Sequence, residues 1–243
     1  MKRIVFVMML AVLFGATSCE KTAPTADVNI QFDNMANSKA LVLDDALSYT
    51  TPMGQSYSVS MLKYYIGNVV LVDAAGTEVK LDGYHLINEG TPGQKLKITM
   101  PAVANGNYTK LKFSLGVSPK MNAAAQIGGD LDVSNGMYWE MVGYTFLKHE
   151  GRYKKADGTT DVFVIHYGRD YGYIDNIEIP LSTAEVEGVA RTIRVKFDLD
   201  KVYGNGYDMH VDNFHMSTSD TEIPWIYKFR TNLSEAFSLR SIE

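Results

Sequence analysis

Five short stretches of the chain alternate apolar and polar residues with a period of two. They are Val28-Asn29-Ile30-Gln31-Phe32, Tyr57-Ser58-Val59-Ser60-Met61, Leu96-Lys97-Ile98-Thr99-Met100, Leu111-Lys112-Phe113-Ser114-Leu115 and Ile193-Arg194-Val195-Lys196-Phe197. This alternation places one face of a strand on a core and the other in water, as antiparallel strands of a sandwich do. Turn signals fall between them at Ala75-Gly76, Pro92-Gly93, Asn105-Gly106-Asn107, Asp157-Gly158 and Gly204-Asn205-Gly206. Tyr64 to Val72 reads as a mostly apolar strand in which Gly67 marks a bulge or a close approach. Only Ser182 to Gly188 and Asn122 to Ile127 read as helical. Residues 118–138, the longest stretch without strong alternation, are expected to form a functional loop or a lid over one end of the sandwich. The pattern predicts one all-β domain over residues 27–243, an antiparallel β-sandwich.

The N-terminus departs from this pattern. Lys2 and Arg3 precede an apolar run from Ile4 to Phe14, and small residues follow at Gly15, Ala16, Thr17 and Ser18. The run is about half the ~20 residues that a helix needs to cross a bilayer, so residues 1–18 read as a secretory signal peptide. Ala16-Thr17-Ser18-Cys19 resembles a bacterial lipobox, with alanine in place of the usual leucine at its first position. Cys19 is the only cysteine. It is therefore expected to be lipidated, with residues 19–26 as a polar tether. The expected location is the cell envelope, as an outer-membrane lipoprotein facing the periplasm or the cell surface. The membrane is then the first partner.

Composition narrows the function. A hydrophobic fraction of 46% against 21% charged residues argues against disorder. Fifteen tyrosines and ten phenylalanines favour sheet. A net charge of −5 without a long basic run argues against nucleic-acid binding. With its thiol committed to the anchor, the domain has no thiolate for catalysis, metal clusters or an intrachain disulfide. No HExxH, GxSxG, P-loop or GxGxxG occurs, and the acids are scattered. A non-catalytic protein is expected.

Four stretches carry candidate chemistry. Gly136 to Gly151 brings together Trp139, Met141 and His149, whose thioether and imidazole donors suit copper, Cu(I) in particular. The same stripe also suits plain core packing. His166 ends an apolar strand before Gly168, as a ligand or as a hydrogen-bonded structural group. Asp208 to Met216 holds two His-Met neighbour pairs, at His210 and His215, which would face opposite sides of a strand. Asp130-Leu131-Asp132-Val133-Ser134-Asn135-Gly136 resembles the opening of a calcium loop without its closing glutamate. It suits a structural calcium or an Asx-turn loop.

These stretches together resemble the MbnP-like family, copper-associated proteins first defined beside methanobactin genes. The resemblance rests on Tyr64-Tyr65-Ile66-Gly67-Asn68-Val69, Phe113-Ser114-Leu115-Gly116-Val117, Gly136-Met137-Tyr138-Trp139, Gly143 to Gly151 and His166-Tyr167-Gly168, which keep the family's order from residue 27 to about 220. It implies an all-β fold, an extracytoplasmic location, and a copper site in which a tryptophan, oxidised to kynurenine by a di-haem peroxidase-like partner, lies near histidines. Trp139 maps to that tryptophan and His166 to an imidazole. Two positions depart from the family: Asn34 replaces a histidine of the N-terminal strand, and Met141 replaces an aromatic or histidine two residues after the tryptophan. The resulting expectation is a copper-binding or copper-responsive domain using Trp139, Met141 and His166, with His149 or His210 completing the site. The alternative is a metal-free β-sandwich that binds a protein or glycan partner through the edge formed by residues 118–138.

Overall fold

The computed structural model describes residues 24–243; the signal-peptide stretch, Cys19 and most of the tether lie outside the described residues. The first alternating stretch forms β1 (Thr25–Ala36), in which Ala26, Val28, Ile30 and Phe32 are buried between outward-facing neighbours. β1 starts two residues before the expected start of the domain at residue 27, because Thr25 and Ala26 pair with Ala104 and Val103. Next come β2 (Lys39–Ala40), β3 (Tyr49–Thr50), β4 (Ser56–Asp73), β5 (Glu78–Asn88), β6 (Lys97–Ala104) and β7 (Gly106–Leu115). The middle of the chain holds α1 (Pro119–Asn122), β8 (Tyr138–Trp139), β9 (Gly143–Lys154) and β10 (Thr160–Gly168). It continues through β11 (Ile174–Val186), β12 (Arg191–Asp198), α2 (Leu199–Val202), β13 (Phe214–His215), α3 (Ile223–Glu235) and β14 (Phe237–Ile242).

Two sheets face each other. The smaller runs β14-β12-β1-β2, with β6 also on β1; the larger runs β11-β7-β4-β9-β10-β13, with β3 and β5 on β4 and β8 on β9. Ala75-Gly76 closes the hairpin from β4 to β5 and Asp157-Gly158 the one from β9 to β10. Asn105-Gly106 instead carries the chain from one sheet to the other. The sheets are mixed, because β1 with β12 and β10 with β13 are parallel pairs. The fold is an all-β single domain, though not the wholly antiparallel sandwich that alternation alone predicts.

Aromatic rings from both sheets fill the space between them. Phe32 packs on Phe113 at 5.8 Å and on Tyr64 at 6.1 Å, and Phe197 stacks on Phe237 at 4.6 Å. Burying each such side chain is worth roughly 1.5–3 kcal/mol. Gly67 is both a bulge and a close approach. The register of β4 against β5 shifts beside it, and a Cβ there would lie 2.7 Å from the Tyr84 ring.

The helices differ from expectation. Ser182 to Val186 is the end of β11, where Ala184 pairs with Tyr108, so partner strand β7 overrides the local helical pattern. In place of a helix over Asn122 to Ile127, α1 stops at Asn122. That side chain accepts from Tyr144 N at 2.6 Å and donates to Asp170 at 3.0 Å. The long helix is α3, whose buried face is Trp225, Ile226, Phe229, Asn232 and Leu233. No helix among the described residues is long and apolar enough to cross a membrane.

Residues 118–138 pack against the larger sheet, where Asn122 reaches the start of β9 and the residues just past the end of β10. Tyr65 Oη donates to Asp130 O at 3.0 Å, Tyr144 Oη donates to Leu131 O at 2.6 Å, and Gln126 N donates to Tyr144 Oη at 2.9 Å.

Candidate functional site

Strand register sorts the candidate residues by face. Across β4, β9 and β10, Leu62, His149 and Ile165 are directly opposed and point into the core. Lys63, Lys148 and His166 form the next row, and they point to the outer face. His149 and His166 therefore stand on opposite sides of one sheet and share no site.

His149 is fully buried. Its Nε2 is in short contact with Tyr203 Oη and its Nδ1 lies 3.4 Å from Met61 O. A ring that donates Nδ1–H to the carbonyl and accepts from the phenol at Nε2 satisfies both contacts. Burial pushes its pKa down to about 4, so it is neutral near pH 7. Both nitrogens are occupied, and His149 does not fit a copper site.

His166 is different. Its Nε2 meets Glu150 Oε1 at 2.7 Å, while its buried Nδ1 has no partner among the described residues. The His166 bond holds the Glu150 carboxyl below its usual range. An imidazole fixed at one nitrogen by a carboxylate, with the other nitrogen free, is the arrangement that orients metal-ligating histidines. β13 lies beside it in parallel, with Ile165 opposite His215. Pairing ends at that residue; the same register continued by one position would set Met216 beside His166. The contact of Gly168 N with Ser217 Oγ at 3.2 Å keeps the two segments together beyond that point. Lys148, the cross-strand neighbour, is drawn away to Gly136 O at 2.7 Å.

The remaining candidates are dispersed. Trp139 on β8 is half-exposed, and Met141, in the turn that follows, is 92% exposed. His210 Nε2 meets Lys154 O at 3.1 Å. Lys154 lies six residues along β9 from Lys148, which faces His166. That is about 20 Å at strand rise, so His210 does not complete the site. Among the described residues no three His, Cys, Asp or Glu side chains gather around a metal position. The five residues Trp139, Met141, His149, His166 and His210 do not fit one copper centre. Asn34 is buried in a hydrogen-bonded chain, accepting from Tyr64 Oη at 2.8 Å and facing Glu89 at 2.6 Å. It sits between the sheets, away from the outer face that carries His166.

His215 and the calcium-like loop are engaged locally. His215 stacks on Trp225 with ring centroids 3.9 Å apart, and its Nδ1 meets Glu222 at 2.7 Å. Asp132 takes Ser134 N at 2.8 Å and Gly128 N at 2.5 Å, while Asp130 takes Leu86 N at 3.0 Å and pairs with Lys95. These carboxylates are spent on their own surroundings and do not fit a calcium site.

A polar cleft of about 550 Å³ opens where Glu140, Met141, Arg169, Asp170, Tyr171 and Thr218 converge. The cleft is not visible in the sequence, and Met216 appears there only as the neighbour of His215, since its relation to His166 depends on which strands lie side by side.

The sequence model of the MbnP family matches residues 25–220. Among solved structures, MbnP from Methylosinus trichosporium is similar in fold, with a TM-score of 0.50 at 18% identity over 74% of this chain and 78% of that one. A search of curated proteins finds no match. With most of its length matched by the family model, and with a two-sheet all-β fold, this chain belongs to the MbnP family.

Proposed function

We propose that this chain is an exported, lipid-anchored, non-catalytic envelope protein that binds Cu(I) on the outer face of its larger sheet. The observation that carries the reading is the free Nδ1 of His166, with Nε2 held by Glu150. His166 and Met216 would hold the metal. Imidazole with thioether is a soft donor pair that favours Cu(I) over metals needing several hard ligands. Glu150 fixes the ring, and the Lys148 ammonium is engaged by Gly136 O instead of by the imidazole. What the metal would supply is a soft, exchangeable electrophile suited to storage or delivery.

Trp139 is exposed to 44%, which supports a macromolecular partner reaching it without unfolding the domain. A di-haem enzyme that oxidises tryptophan is the partner that family membership suggests.

Cu(I) competition against a chromogenic chelator tests the reading. One copper per chain is expected, lost in H166A and weakened about 10–100-fold in E150Q. H210A is expected to bind as the parent does. Retention of copper by H166A would overturn the reading. The metal-free alternative keeps one observation of its own, the polar cleft beside Arg169, which is independent of copper.

A further inference from the structure

The polar cleft holds three features that the copper reading does not use. Arg169 has φ 65° and ψ 159°, a backbone conformation that is essentially glycine's own. Ser217, whose hydroxyl takes the N–H of the preceding Gly168 at 3.2 Å, has φ 55°. Arg169 lines the cleft, and Ser217 directly precedes Thr218, which also lines it. Strain of this kind persists where surrounding structure holds a side chain in place for use.

The Arg169 guanidinium is the side chain so held. Its Nη2 reaches Asp220 at 2.8 Å, its Nη1 is buried without a partner among the described residues, and its Cζ lies 5.8 Å from the Tyr171 ring centroid. Asp220 is 83% exposed, so this carboxylate arrives from solvent and leaves easily. A buried guanidinium N–H without an acceptor is costly, and a planar carboxylate is its natural complement.

The other charges on the cleft are acidic. Glu140 is exposed, and Asp170 is already bonded to Asn122. A simple anion reaching Arg169 would face Glu140 without compensation. A ligand carrying a carboxylate and a nearby ammonium would satisfy both ends. Met141 and Tyr171 offer apolar surface to a side chain between them. The cleft volume of about 550 Å³ lies within the ~300–1,000 Å³ usual for small-molecule sites.

We propose that this cleft binds a small zwitterion of the α-amino-acid type, its carboxylate on Arg169 and its ammonium toward Glu140. The site is separate from His166, and it stands whether or not copper binds.

The test is a thermal-shift screen of the intact protein against the common free amino acids, followed by calorimetric titration of the best binder. The same titration is run with its N-acetyl and carboxamide derivatives. The proposal expects saturable binding of the free amino acid and a loss of at least about tenfold for each derivative. It also expects loss of binding in R169Q and about tenfold weakening in E140Q, an exposed position that does not threaten folding. R169G releases the backbone strain, so it should melt about 2–4 °C higher while failing to bind.

No binding of any free amino acid at millimolar concentration would overturn the proposal. Equal binding of the carboxamide, or unchanged affinity in R169Q, would do so too. Equal binding of the N-acetyl form, or unchanged affinity in E140Q, would overturn the zwitterion assignment. If R169Q does not fold, the derivatives and E140Q decide.

Discussion

Replacing the buried pair His149 and Tyr203 by phenylalanines should flatten the acid limb of the stability curve. His149 is fully buried, and its pKa is pushed down to about 4, chiefly by loss of solvation. In the unfolded chain an ordinary histidine titrates near ~6.5. Between those two values the unfolded chain binds a proton that the folded chain refuses. Stability is therefore complete above about pH 6.5 and falls as the pH drops toward about 4. The loss from pH 8 to pH 5 comes to about 2 kcal/mol, and to about 3 kcal/mol once both states are protonated. The double variant H149F/Y203F removes this titration without leaving the Tyr203 hydroxyl buried and unpaired, a fault that costs about 1–3 kcal/mol in H149F alone. Urea unfolding at pH 8 and pH 5 on both proteins measures the difference in slope. Equal losses in parent and double variant would refute the reasoning, as would a His149 resonance titrating near the ordinary value.

Other substitutions have clear expected outcomes. G151A should destabilise by about 3 kcal/mol in urea unfolding, since its Cβ would lie 2.0 Å from the Ser58 carbonyl in a paired strand. F197A empties a ring position stacked on Phe237 at 4.6 Å and should cost about 3–5 kcal/mol in the same assay. D33N weakens the fork with Arg194 and the pair with Arg240, where the carboxylate side chain is 9% exposed. A loss of about 1–2 kcal/mol that shrinks in high salt is expected there.

Much of the sandwich is legible along the chain. β1 and β12 sit where Val28–Phe32 and Ile193–Phe197 alternate, because a half-buried strand repeats every two residues. Gly67 announces its bulge because only a residue without a Cβ fits beside the Tyr84 ring. Alternation does not reveal strand direction, so the parallel pairing of β1 with β12 stays hidden. α3 does carry its apolar residues at helical spacing, at Trp225, Ile226, Phe229 and Leu233, and could have been read.

The candidate site is less legible for a related reason. His149 and His166 are both histidines in apolar strands, and only the register between β9 and β10 assigns one to the core and the other to the outer face. Met216 gains meaning only when β13 is placed beside β10. Glu150 stands next to His149 in sequence yet serves His166 across the strand gap. Arg169 gives no sequence sign of its strained backbone.

The most direct test of the copper account is nitrogen-resolved NMR of the histidine rings during anaerobic Cu(I) addition. The account predicts that one equivalent perturbs His166 at Nδ1, with Nε2 still bonded to Glu150, and leaves His149 unchanged. A response at His149 or His210 with His166 silent, or no response at any ring, would contradict it.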